Sequence, residues 1–198
     1  MQPAVWRPAD ALDCCGFKIR AMPATDDVRL FLALWPDEAV ADALHAASGR
    51  LQALCGGRRM RRDTLHLTLV FMGDTPRSRL PALMAALAQV ALVPVELRLD
   101  HYGRWRPGIT WWAPSDPPAA LLQLVDNLRT TLDGLGLKYD RKAFKPHVTM
   151  LRHGHPPPAW PDEAPLVWPI RGFRLVASST EGEQGPEYQV LESYQVDA

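Results

Sequence analysis

Lys145-Pro146-His147-Val148-Thr149-Met150-Leu151-Arg152 and its echo, Leu65-His66-Leu67-Thr68-Leu69, are the stretches on which the reading of this chain turns. In each, a histidine stands two residues before a threonine inside an apolar run. Side chains alternate across a strand, so His and Thr at i and i+2 share one face while the residues between them turn to the core. One His-x-Thr in a strand says little, because half-buried histidines are ordinary. Two of them, in a chain with six histidines, predict one site assembled from two related halves.

The chemistry suits a pair of imidazoles. With an unperturbed pKa of about 6.5, histidine offers neutral and protonated forms near neutrality. Opposed across a cleft, one neutral ring takes a proton from water while a protonated ring gives one to a leaving oxygen. The two threonine hydroxyls then hydrogen-bond the non-bridging oxygens of a group held between them. This arrangement fits in-line attack on a phosphodiester and needs no metal.

LHLTLVFMG (65–73) and FKPHVTMLR (144–152) resemble the paired signatures of the two-histidine phosphoesterases. The nearer likeness is to the bacterial and archaeal RNA 2′,3′-cyclic phosphodiesterases, historically called 2′-5′ RNA ligases (LigT-like). It extends from RLFLALWP at Arg29 to FRLVASS at Phe173. The resemblance implies a bilobal α+β fold, two antiparallel sheets facing a central cleft with helices outside. It implies His66 and His147 as catalytic residues, with His147 the base and His66 the acid, and Thr68, Thr149 and Arg152 as substrate-binding residues. It further implies cleavage of the P–O3′ bond to leave a 2′-phosphate, without a cofactor. The substrates expected are RNA 3′ ends or nucleoside 2′,3′-cyclic phosphates. Three alternatives stay open: a small cyclic nucleotide or ADP-ribose cyclic phosphate as substrate, reverse 2′-5′ ligation, and a non-catalytic module that binds RNA ends.

Arg152 poses a geometric problem. Strict alternation from His147 and Thr149 puts Leu151, not Arg152, on the catalytic face, so the strand must end or twist there for the guanidinium to reach a phosphate or base. Phe31 is a candidate stacking partner for that base.

Formal net charge is zero, so no global field draws the protein to nucleic acid. Two basic runs nonetheless precede the motifs, Arg58, Arg59, Arg61 and Arg62 before the first and Lys138, Arg141, Lys142 and Lys145 before the second. They read either as solvated faces or as attraction for an anionic ligand. Three cysteines, two of them adjacent, give no disulfide framework and no metal-ligand spacing. No apolar run reaches the length of a membrane span and the N-terminus has no secretory pattern, so the expectation is a cytoplasmic protein, a monomer, acting without a membrane.

Residues 1–27 show no sustained periodicity and read as an extension that is disordered or, with translation starting at Met22, not made. Residues 28–198 read as one bilobal domain. Within it the pattern predicts strands at 29–35, 65–72, 95–105, 109–113, 145–152, 170–178 and 187–196, and helices at about 38–55, 76–92 and 119–135. That order is of α+β type. His153-Gly154-His155 lacks partners at ligand spacing and reads as surface loop. His45 and His101 read as structural, and Trp111-Trp112 as strand packing rather than a base-stacking platform. No P-loop, no GxGxxG and no Gly-x-Ser-x-Gly occurs.

Overall fold

A computed structural model describes residues 27–179 and 186–196, so the expectations for the segment before Asp27 fall outside the described residues. The chain opens with β1 (Asp27–Leu34) and α1 (Glu38–Cys55), followed by β2 (Arg58–Arg59) and β3 (Leu67–Pro76). Then come α2 (Leu80–Leu87), β4 (Val95–Leu99), β5 (His101–Trp105), β6 (Ile109–Ala113) and α3 (Ala119–Gly134). The chain closes with β7 (Val148–Arg152), β8 (Leu166–Ile170), β9 (Gly172–Ser179) and β10 (Glu187–Gln195). This is an α+β fold with two antiparallel sheets. The larger runs β10-β9-β1-β3-β7-β6-β5, with β2 also on β7, and β4 and β8 form the smaller.

The two-lobed arrangement lies within the larger sheet. Its halves, β10-β9-β1-β3 and β7-β6-β5, join through a single register pair, Leu67 with Val148. α1 packs against β7 and β2, while α3 packs against β3 and α2. α1 starts where Asp37 caps it, its carboxylate accepting the Val40 N–H at 2.8 Å. Its buried residues Val40, Leu44, Ala47 and Leu51 recur at helical spacing. They meet Leu30, Leu32, Leu34, Leu67, Val148 and Leu175 in one apolar core. Alternation sends Phe31, Ala33 and Val176 to the opposite face, where they form a small second cluster with Trp35, Phe71 and Tyr188. The helices thus cover one face and leave the other to the cleft.

Several expected boundaries move, and β3 and β7 begin at Leu67 and Val148, each one residue after its histidine. The 95–105 strand divides at Asp100, whose carboxylate accepts the Ser115 N–H and hydroxyl at 2.7 and 2.8 Å, so β4 and β5 enter different sheets. The 170–178 strand begins at Gly172 as β9 on β1, and Leu166–Ile170, where no strand was expected, forms β8 on β4. The helix expected over 76–92 is a 3₁₀ turn at Arg77–Arg79 followed by the shorter α2, tightened at its end by i→i+3 bonds from Gln89 and Val90. Finally, β3 runs on through Gly73-Asp74, where a stop was expected. The register slips there, pairing Leu30 with Gly73 but Phe31 with Phe71, and Gly73 takes the φ of 73° that such a bulge requires. The slip brings two phenylalanines opposite each other on the cleft face.

Candidate active site

The single Leu67–Val148 pair fixes the geometry of the site. In an antiparallel register, one step either way from that pair sets His66 across from Thr149 and Thr68 across from His147. All four side chains share the face opposite Leu67 and Val148, which are wholly buried. The two histidines occupy diagonal corners of a near-rectangle, with the threonines at the other two. Beyond this pair the strands part, and the gap is a cavity of about 420 Å³ lined by all four.

Each imidazole is held in the same way. His66 Nδ1 donates to the Thr64 carbonyl at 2.7 Å, and His147 Nδ1 to the Lys145 carbonyl at 2.8 Å. The proton is thereby kept on Nδ1, leaving Nε2 of each ring for the cleft. Burial lowers both pKa values. His66 is pushed down to about 4, mainly by burial and further by the charges of His147 and Arg152, against the pull of the Thr64 carbonyl. His147 is lowered by burial, opposed by the Lys145 carbonyl. With no anion present, both rings are neutral at pH 7.

The aromatic surroundings differ. Trp35 stacks on His66 with planes 7° apart and centroids 5.2 Å apart, while Phe31 and Tyr188 close in at 5.1 and 5.2 Å. Among the described residues His147 meets one aromatic ring, the edge-on Trp105, at 4.5 Å and 73°. A parallel indole face favours an imidazolium by about 0.5–2 kcal/mol. The stacked indole thus offsets part of the burial penalty on a charged His66 ring.

Arg152 lines the cavity, and the reason is a bulge. β7 pairs Leu151 with Thr110 but Thr149 with Trp111, so Met150 is an extra residue against β6. Met150 and Leu151 are both fully buried, and the alternation restarts with Arg152 on the face of Thr149. Its Nε is buried without a hydrogen-bond partner among the described residues, poised for an oxygen acceptor. Phe31 lines the same cavity.

A family model described as the 2′-5′ RNA ligase superfamily matches residues 36–177. The chain belongs to this superfamily. It is 34% identical over 179 residues to an RNA 2′,3′-cyclic phosphodiesterase of Thermus thermophilus, covering 84% of this chain and 89% of that one. A protein of the same description from Escherichia coli is 33% identical over 129 residues, 62% of this chain and 71% of the other. Among solved structures, Escherichia coli LigT complexed with 3′-AMP superposes with a TM-score of 0.76 at 26% identity, covering 87% of this chain and 99% of LigT.

Within this member of the superfamily most of the basic residues that precede the motifs are paired away from the cavity. Arg62 is taken by Glu38 and Asp42 on α1, Arg61 by Asp63, and Arg59 donates to the His45 carbonyl and Ser48 hydroxyl. Arg141 pairs with Asp133 and Lys142 with Asp140. The cation that joins Arg152 in the cavity wall is instead Arg29, its guanidinium 5.0 Å above the Phe71 ring. Arg29, Ser178 and Tyr188 form one cross-strand row over β1, β9 and β10. Sequence reasoning missed Arg29, Tyr188, Trp35 and Trp105. Burial raises the pKa of Tyr188, keeping its phenol neutral. His155 lies away from the cavity, its N–H on the Cys55 carbonyl at 2.7 Å. Among the described residues no group of three or more His, Cys, Asp or Glu could hold a metal. No helix among them is long and apolar enough to cross a membrane.

The threonines give a direct test of this geometry. Thr68→Ala and Thr149→Ala should fold normally and each lower kcat/KM by roughly tenfold to a hundredfold. Losing one hydrogen bond to a charged group costs about 1.5–3 kcal/mol, and each ~1.4 kcal/mol is a factor of ten in rate. Wild-type kinetics in both variants would leave the hydroxyls with a packing role only.

Proposed function

We propose that this protein is an RNA 2′,3′-cyclic 3′-phosphodiesterase that opens the cyclic phosphate at an RNA 3′ end and leaves a 2′-phosphate. The observation that carries this reading is the diagonal His/Thr quartet, each imidazole tied through Nδ1 to a backbone carbonyl with Nε2 available to the cleft. The names of the relatives supply the substrate class.

The cyclic phosphate sits between the two histidines, its non-bridging oxygens on Thr68, Thr149 and Arg152. Water enters on the His147 side and loses a proton to Nε2 as its oxygen bonds to phosphorus. The P–O3′ bond breaks on the opposite side, and His66 Nε2–H protonates the departing O3′. The diagonal placement satisfies the in-line requirement, since two groups on one strand would both lie on the same side of phosphorus. The stacked face of Trp35 favours His66 as the ring that carries the proton in the loaded site. With the 5′-hydroxyl of a second RNA in place of water as the nucleophile, the same steps form a 2′-5′ phosphodiester, the ligation in the superfamily's description. The protein acts as a cytoplasmic monomer in this reading.

Product analysis tests the reading. A nucleoside 2′,3′-cyclic monophosphate should yield the 2′-monophosphate and no 3′-isomer. An exclusive 3′-phosphate would reverse the direction of opening, and no turnover of this or a cyclic-ended oligonucleotide would leave a binding module. Activity should also survive exhaustive chelation, because two imidazoles, two hydroxyls and a guanidinium supply base, acid and oxygen contacts. Loss on EDTA treatment with recovery on adding one divalent ion would contradict that.

A further inference from the structure

The catalytic face of the sheet does not end at the cavity. Across β7, β6 and β5 the register aligns Thr149 with Trp111 and Trp111 with Gly103, so these three share the face that carries the quartet. Trp105 and His101, two residues either side of Gly103, lie on that face as well. Rings therefore follow one another outward from the cleft: His147 to Trp105 at 4.5 Å, Trp105 to Trp111 at 5.3 Å, and Trp111 to His101 at 5.8 Å.

Gly103 explains how Trp111 is laid down. A Cβ at this position would fall 2.1 Å from Trp111 Cζ2 and 2.2 Å from Cη2. The six-membered ring thus lies against the bare backbone of β5, and the indole keeps part of its surface exposed. A glycine inside a strand costs stability and supplies no packing of its own. Here it allows a half-buried indole to lie flat on an edge strand, on the side away from the helices. Trp112, its neighbour, points the other way, is fully buried, and stacks on Tyr102 within the core. The two tryptophans, alike in sequence, do opposite things.

We propose that Trp111, flanked by Trp105 and His101, is a stacking subsite for the base of the nucleotide preceding the cyclic phosphate, so that the enzyme favours single-stranded RNA ends over mononucleotides. Two features support this occupant. The track is continuous with the proposed phosphate site through Trp105 and His147. Lys145, exposed and two residues before His147, adds positive charge beside it, which suits a polyanion better than an apolar protein segment. Base-on-aromatic stacking is tolerant of sequence and is worth about 1–3 kcal/mol per base. The track implies a preference for length rather than for a particular base.

This inference rests on the proposed function, and the experiment separates the two. Steady-state kcat/KM is measured for a nucleoside 2′,3′-cyclic monophosphate and for a dinucleotide ending in a 2′,3′-cyclic phosphate, in wild type, Trp111→Val and Trp111→Phe. Calorimetric titrations with the matching 2′-phosphate products accompany the kinetics. The wild type should favour the dinucleotide by about tenfold or more. Trp111→Val should lose that preference while keeping mononucleotide turnover within about twofold, and Trp111→Phe should keep most of it. Equal preference in wild type and Trp111→Val, or equal losses on both substrates, would overturn the subsite and leave the phosphodiesterase reading standing. If neither substrate turned over, the phosphodiesterase reading would fail. The titrations would then decide the subsite, by whether Trp111→Val abolishes tighter binding of the dinucleotide product.

Discussion

His66→Ala and His147→Ala should each lose at least a hundredfold in kcat/KM while unfolding as cooperatively as the wild type. General acid and general base each contribute about 10²–10⁴ in rate, and among the described residues no third histidine lines the cleft to replace the one removed. The loss should not be symmetrical across substrates. A cyclic substrate with sulfur in place of the 3′ bridging oxygen expels a leaving group that needs no proton. It should restore His66→Ala far more than His147→Ala if His66 is the acid. The opposite pattern would exchange the roles, and wild-type activity in both variants would remove the mechanism. The two effects should also fail to add in the double variant, because acid and base act in one transition state.

The quartet was legible because it depends on local rules. His-x-Thr in an extended segment shares a face whatever the rest of the chain does, and the repetition of the pattern shows that two strands must meet. What the pattern cannot contain is a change of register. Arg152 reaches the cavity only because Met150 is an extra residue against β6, and nothing in Val148-Thr149-Met150-Leu151 announces a bulge. Tyr188 and Arg29 come together through the pairing of β10, β9 and β1, whose partners lie far apart in sequence. The basic runs misled for the converse reason. A run of arginines carries its charge in the sequence, but Arg62 spends its charge on Glu38 and Asp42 one helix away. Of Trp111 and Trp112, packing was the expectation for both. It holds for Trp112 in the core and for the Trp111 ring lying on Gly103, and the stacking role proposed for Trp111 depends on that cross-strand glycine.

Acidification from pH 7 to pH 4 should cost the ligand-free protein about 3 kcal/mol through His66. Its pKa is about 4 when folded, against about 6.5 in an unfolded chain, and one unit corresponds to 1.36 kcal/mol. The direction follows from which state binds the proton. Between those two values the unfolded chain is protonated and the folded one is not, so stability rises with pH across that window. The contribution is complete above about pH 6.5, is lost as pH falls toward 4, and changes no further below. His147, also lowered by burial, adds in the same sense. Denaturant unfolding of wild type and His66→Gln at pH 7, 5.5 and 4 isolates the effect, because carboxylates such as Glu163 are common to both proteins. The variant should have a shallower pH dependence by about that amount; parallel curves would mean that the ring is solvated and freely protonated in the fold. An anion between the histidines changes the balance, since it pays back the burial of an imidazolium with a direct ionic contact. Inorganic phosphate should therefore bind the wild type more tightly as pH falls from 7 toward 5, with proton uptake, and this dependence should weaken in His66→Gln. If the cleft takes up its catalytic proton with its substrate, as the proposed mechanism requires, the kcat/KM profile should peak on the acid side of pH 6.5, below the optimum of kcat.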